Sequence, residues 1–125
     1  MTPRDVVREF WDAMATNDFH AASLWLTEDF RLDWPQSGEI IQGRSAFAEI
    51  NTAYPAKGLW QFDVRSTIAD GQIVVTEVGV TDGVLHATAL TFHTVRGDLI
   101  SHQREFWPEP YDPPQWRAAW VTTSG

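Results

Sequence analysis

The chain has 125 residues, 43% of them hydrophobic and 21% charged, which fits one globular domain with a single core and excludes a disordered segment. Acidic residues outnumber basic ones by 17 to 9, for a net charge of −8; without a basic face, neither nucleic acid nor an anionic membrane is an expected partner. Cysteine is absent, which removes disulfides, thiol nucleophiles and cysteine metal sites.

Met1 to Asp5 lacks the apolar core of a secretion signal, and no apolar run is long enough to span a bilayer, so a cytoplasmic location is expected. Thr2-Pro3-Arg4-Asp5 reads as a helix start, with a threonine cap, proline at the first helical position and an acid at the third. Val7, Phe10, Trp11 and Met14 then recur at helical spacing. Asn17-Asp18 breaks this helix and caps a second, whose buried face takes Ala22, Trp25 and Leu26 before Thr27-Glu28-Asp29 closes it. Phe30 to Trp34 alternates as a half-buried strand does, and Pro35 ends it. A turn at Gln36-Ser37-Gly38 leads to a short strand at 39–42 and a third helix capped by Ser45, with Phe47, Ile50 and Tyr54 toward its buried side.

Beyond residue 59 the period changes to two. Strands are expected at 60–68, 72–81, 84–95 and 99–107, joined by tight turns at Asp70-Gly71, Asp82-Gly83 and Arg96-Gly97-Asp98, which makes an antiparallel meander. The segment after Trp107 holds four prolines and cannot pair as a central strand, yet its rings at Tyr111, Trp116 and Trp120 argue that it packs on something. One domain, 1–125, therefore comprises helices over about 3–54, a meander over about 60–107 and an aromatic tail at 108–125. The fold class is α+β, with a curved, mainly antiparallel sheet on three N-terminal helices.

Asn17-Asp18 between the helices, the run Leu26 to Pro35, Gly43-Arg44 before the third helix, Glu105-Phe106-Trp107, and the ending Trp107-Pro108-Glu109-Pro110-Tyr111 with Trp116-Arg117 carry a likeness over nearly the whole chain. In these features the sequence resembles the nuclear transport factor 2-like superfamily, and within it the SnoaL-like branch of polyketide cyclases and ketosteroid isomerases. The resemblance implies a cone-shaped fold around a pocket, and a homodimer. It also places the isomerases' proton-moving aspartate at Trp34 and their oxyanion-binding tyrosine at Phe10. Indole accepts no proton and a phenyl ring donates none, so steroid isomerisation by those groups is not expected. Against the limonene epoxide hydrolase branch, Glu77 and Gly79 stand where an arginine and an acid belong, and only Glu105 keeps a carboxylate. The water-activating set is incomplete.

Several groups remain as candidates for chemistry. Glu77 interrupts the apolar run Ile73 to Val80, where a carboxylate is either buried with a raised pKa or turned to solvent. Glu105 shares strand parity with Gln103 and Trp107, while the opposite register would bring His102, Arg104 and Phe106 inward; the resemblance favours the first. His93 is the third candidate, as a proton carrier near neutral pH. Phe10, Met14, Trp34, Phe47, Gln103 and Trp107 are expected to line the cavity. Asp33 has the opposite parity to Trp34 and points away from it. No histidine spacing suits a metal, and neither metal nor cofactor is expected. The expected partner is a small, mostly hydrophobic molecule, with Glu105 or Glu77 moving a proton; the rival expectation is a non-catalytic ligand-binding or dimeric interaction module.

Overall fold

The computed structural model describes residues 1–124; Gly125, at the end of the expected tail, lies outside them. Helix α1 (Pro3–Ala15) opens on the capping pattern read from the sequence. The Asp5 amide donates to Thr2 Oγ1 at 3.1 Å and the Thr2 amide to the Asp5 carboxylate at 3.0 Å, which satisfies amides that a helix start leaves unpaired. Val6, Val7, Phe10, Trp11 and Met14 form its buried stripe.

Asn17 turns the chain into α2 (Phe19–Ser23). Its φ of 62° lies in the left-handed region, which asparagine tolerates better than most residues. Its side chain clamps the backbone of Trp60: Oδ1 accepts from the amide and Nδ2 donates to the carbonyl, both at 2.8 Å.

Helix α2 stops earlier than expected. Leu26 does not continue it but opens β1 (Leu26–Trp34), where it pairs with Ile100. The Ile100 amide donates to the Trp25 carbonyl at 2.8 Å. Leu26, Phe30 and Leu32 are spaced by four and then two, so local periodicity does not separate helix from strand; a buried partner far along the chain does. β2 (Glu39–Gln42) returns antiparallel beside β1, and α3 (Arg44–Ala53) follows. The cap of α3 is Gly43, not Ser45: it has a φ of 89°, open to glycine, and no side-chain cap bond is made. α3 buries Phe47 and Ala48, whereas Tyr54 beyond its end is exposed and meets Trp60 edge-on.

β3 (Gln61–Asp70), β4 (Ile73–Thr81), β5 (His86–Arg96) and β6 (Leu99–Phe106) form the meander, and β6 pairs parallel with β1. The sheet order is β2-β1-β6-β5-β4-β3. β5 begins at His86 rather than Val84 because Asp82 takes the amides that would start it. Its Oδ1 accepts from Val84 at 3.0 Å and Leu85 at 2.8 Å, and its Oδ2 from Lys57 at 2.8 Å. These bonds, that of Lys57 foremost, pull the Asp82 carboxyl down to about 2. β6 ends at Phe106 rather than Trp107, since Gln36 binds the Trp107 amide at 2.6 Å and its carbonyl at 3.1 Å.

The helices pack on one face of the sheet, and rings fill the space between. Phe10 meets Trp11 at 5.1 Å and Phe47 at 5.9 Å, Phe47 meets Phe30 at 5.6 Å, and Trp11 meets Phe62 at 5.7 Å between centroids. Phe10, Met14 and Phe47, expected as cavity wall, are core residues that contact other side chains. The aromatic tail ends in a short 3-10 turn at Gln115–Trp120, and its rings do not pack within the chain: Tyr111, Trp116 and Trp120 are 77%, 74% and 79% exposed. Among the described residues no helix is long and apolar enough to cross a membrane.

The Asn17 clamp can be separated from its backbone conformation. Asn17→Gly keeps the left-handed turn but strands the Trp60 amide and carbonyl, so it should cost about 1–3 kcal/mol in chemical denaturation. Asn17→Ala adds the left-handed strain and should cost roughly 1 kcal/mol more.

Candidate functional site

Strand alternation builds the site. In β6, Gln103 and Glu105 turn inward, at 1% and 7% exposure, while His102, Arg104 and Phe106 occupy the outer face. On β5 the inward partners are Thr91 opposite Glu105 and His93 opposite Gln103; on β4, Thr76 lies opposite Thr91. Polar side chains thus run across the inner face of the sheet, where water does not reach them.

Glu105 is held from both sides. Trp34 Nε1 donates to Oε1 at 3.0 Å and Thr91 Oγ1 donates to Oε2 at 2.6 Å. Burial pushes the Glu105 pKa above its ordinary value, against the lowering effect of Thr91, Trp34 and Trp107. The desolvation cost outweighs these influences, so the acid is biased toward its protonated form relative to a free glutamate.

His93 is fully buried, and its ring is committed to other bonds. Gln103 Nε2 lies 3.0 Å from Nδ1 and donates there, which leaves the ring proton on Nε2 to donate to Thr76 Oγ1 at 2.9 Å. Trp11 Nε1 donates to the same oxygen at 3.3 Å. The rings of Phe10 and Trp11 pack edge-on against the imidazole. Burial pulls its pKa down to about 3, so the ring is neutral at physiological pH. No hydrogen bond joins it to Glu105.

Glu77 does not join this group. It has the opposite parity to the buried Thr76 and Val78, placing it on the outer face with Gly79. Arg65, at a bulge of β3, lies over Gly79 and fills the space a side chain there would take. The set compared with the epoxide hydrolases is therefore split: Glu77 and Gly79 lie on one side of the sheet and Glu105 on the other. Asp33 faces outward as its parity requires. It accepts from Arg31 Nε at 2.6 Å and contacts His102 Nε2 at 2.9 Å, and these partners, Arg31 first, lower its pKa.

The best-formed hollows among the described residues are open depressions at the surface. One, of about 250 Å³, is lined by Arg31, Asp33, Trp34, Pro35, Gly38, Glu39 and Ile40. Trp34 is thus shared: its ring walls this depression and its N–H holds Glu105. The second, of about 310 Å³, lies at Glu28, Gly43, Arg44 and Ser45, away from the acid. The sequence reading missed Thr91 and Thr76, although Thr91 shares parity with His93 and was available to the same argument. Trp11 carried no local sign that its N–H would be used.

A family model, the SnoaL-like domain, matches residues 7–103. Among solved structures, a candidate ketosteroid isomerase from Kribbella flavida is 32% identical, with a TM-score of 0.89 over 98% of this chain and 90% of that one. A nuclear transport factor 2-like protein of unknown function from Burkholderia xenovorans is 28% identical, with a TM-score of 0.79 over 98% and 95%. A SnoaL-like polyketide cyclase candidate from Shewanella putrefaciens shares the fold at 11% identity, with a TM-score of 0.71 over 84% and 88%. No protein of curated function matches the chain. With the polar inner face of its sheet, its one-sided helical cover and a family match over most of its length, the chain belongs to the SnoaL-like family.

Proposed function

We propose that the chain binds a small, mostly hydrophobic molecule bearing a carbonyl at the Trp34–Glu105–Trp107 end of the sheet, and that Glu105 moves a proton on it without a cofactor. The observation that carries this reading is a buried carboxyl of raised pKa held by Trp34, whose ring also walls a surface depression. A raised pKa brings a glutamate closer to the operating pH, where proton transfer in either direction is efficient. Ionised Glu105 takes a proton from the carbon next to the carbonyl; the C–H bond breaks, an O–H bond forms on the carboxyl, and the negative charge moves to the carbonyl oxygen. Returning the proton to a different carbon completes an isomerisation. The indole N–H of Trp34 and the hydroxyl of Thr91 steady the carboxylate between the two steps. His93 takes no part, since a neutral ring with both nitrogens engaged neither gives nor accepts a proton at this point.

The kinship with the Kribbella candidate ketosteroid isomerase supports the reaction class, while Trp34 and Phe10 argue against that enzyme's usual aspartate and tyrosine as the reacting groups. A second reading, a binder without chemistry, is favoured by the ring-filled interior at Phe10, Met14 and Phe47. The two separate in one measurement. Exchange of the α-protons of simple cyclic ketones with deuterated water, followed by NMR, should be accelerated by the native protein. In Glu105→Gln it should fall by about 10²–10⁴-fold with ketone affinity little changed. Binding without any exchange by the native chain selects the binder.

Two pH profiles test the states assigned to the buried groups. Because the folded pKa of Glu105 is raised, the folded chain keeps a proton that the unfolded chain loses near 4.5. Stability from this group therefore falls as pH rises from about 4.5 through its folded pKa, and thermal melts of Glu105→Gln should lack that decline. His93 acts in the opposite direction: its contribution is complete above 6.5 and is lost as pH falls from 6.5 toward about 3. His93→Gln should be less stable at neutral pH by about 1–3 kcal/mol, since it breaks a buried network, and should show a flatter acid limb.

A further inference from the structure

Glu105 is one carboxyl with two oxygens, and the fold treats them differently. Oε1 turns to β1, where the Trp34 indole donates to it at 3.0 Å. Oε2 turns to β5, where the Thr91 hydroxyl donates to it at 2.6 Å. Register makes the second contact, because Thr91 lies directly opposite Glu105 in the β5–β6 pair. Trp34 is only partly buried and its ring walls the surface depression. Thr91 is completely buried.

The two donors also differ in what they allow. An indole N–H only donates, and it takes one lone-pair position on Oε1, leaving the other open. A hydroxyl in general donates or accepts, but Thr91 is not free to choose. Among the described residues Oε2 is the one hydrogen-bond partner of its side chain. Were the hydroxyl to reverse and accept from Oε2, its own proton would point into a dry interior with nothing to receive it, which is costly. The 2.6 Å separation also lies in the range of a hydroxyl bonded to an ionised oxygen.

We propose that Thr91 is a positioning residue: by holding Oε2 as an acceptor in both states of the acid, it makes Oε1 the oxygen that takes up and returns the proton. The inference rests on the proton-transfer reading of Glu105 and assigns that step to one atom. In the ionised acid Thr91 and Trp34 each donate to one oxygen, and the carboxylate is fixed between β5 and β1. On proton uptake an O–H bond forms at the open position of Oε1; Oε2 becomes the carbonyl oxygen and keeps its bond to Thr91. Thr91 neither gains nor loses a proton. The carboxyl passes between its two states without turning, held by a residue that the ligand does not reach.

No charged side chain faces Glu105 from the elements packed on it. The other buried titratable groups among the described residues are His93, neutral and not bonded to it, and Asp82, held by amides at Lys57 and before β5. α1 and α3 bury only apolar side chains. Glu39, opposite Trp34 on β2, is exposed, and Asp33, His102 and Arg104 lie on the outer face of the sheet. The hydrogen bonds to its two oxygens therefore decide how Glu105 ionises in place.

Infrared difference spectra between acid and alkaline pH test the assignment without any ligand, with the Glu105 bands identified by their loss in Glu105→Gln. Thr91→Val removes the bond to the carbonyl oxygen, so the carbonyl stretch of the protonated acid should move to higher frequency. Trp34→Phe removes a bond to the hydroxyl oxygen and should leave that stretch nearly in place. Thr91→Val should also raise the Glu105 titration midpoint by about one pH unit or more, a roughly tenfold gain in proton affinity on losing a donor to the anion. Thr91→Ser keeps the hydroxyl and should restore both readings; Thr91→Ala reads the same bond should Thr91→Val fail to fold. In ketone exchange, Thr91→Val should lower kcat about tenfold or more below its new midpoint, with KM little changed, and recover at higher pH. A stretch that moves up in Trp34→Phe and not in Thr91→Val overturns the assignment, since Oε2 would then carry the proton. A native midpoint in Thr91→Val, or a Thr91→Ser that titrates like Thr91→Val, overturns the positioning role. A native chain that exchanges no ketone protons removes the function proposed for Glu105, while the infrared readings still decide the role of Thr91.

Discussion

Thr76, Thr91, His93, Gln103 and Glu105 all point into the one side of the sheet that the helices cover. Without water there, each must find its hydrogen bonds among its neighbours, and this constraint organises the interior. Two sets result. One is closed: Trp11, Thr76, His93 and Gln103 satisfy one another, and the imidazole stays neutral between them. The other is centred on Glu105, where Trp34 and Thr91 approach the two carboxyl oxygens. Both sets follow from two-residue periodicity, and the second lies beside the surface depression that Trp34 lines.

The difference in character has a simple origin. His93 sits one register step deeper, against the rings of Phe10 and Trp11, and burial drives it to the uncharged form. Glu105 lies toward the end of β6, where Trp34 and Trp107 are only partly buried. Desolvation there raises the acid's pKa, while the Trp34 N–H and the Thr91 hydroxyl act to lower it. On the proposed reading Glu105 carries the chemistry, while His93, neutral and closed in by its partners, serves packing, although their side chains share one face.

Trp34 illustrates how the family frame is reused. At a position where the isomerases keep a proton-moving aspartate, an indole instead reaches across to a carboxyl on the neighbouring strand. On the proposed reading the reacting acid lies one strand over, held by that indole. Phe10, in the place of the tyrosine, has become part of a continuous ring cluster with Phe47 and Phe30. That cluster fills space between α1, α3 and β1.

The sequence by itself determined the elements whose signals are local: the Thr2 capping box, the meander with its glycine turns, and the inward or outward sense of residues along each strand. It also carried the family likeness, spread over nearly the whole chain. It did not separate Leu26 as helix from Leu26 as strand, because the deciding partner is Ile100; nor did it choose between the two sides for Glu77, because parity relates residues within a strand but does not say which face the helices cover. Tertiary structure decided those, along with the start of β5, which depends on Asp82 taking amides from three places at once. It also decided which interior rings meet one another. Packing of that kind depends on distances between elements, and periodicity along one chain does not contain them.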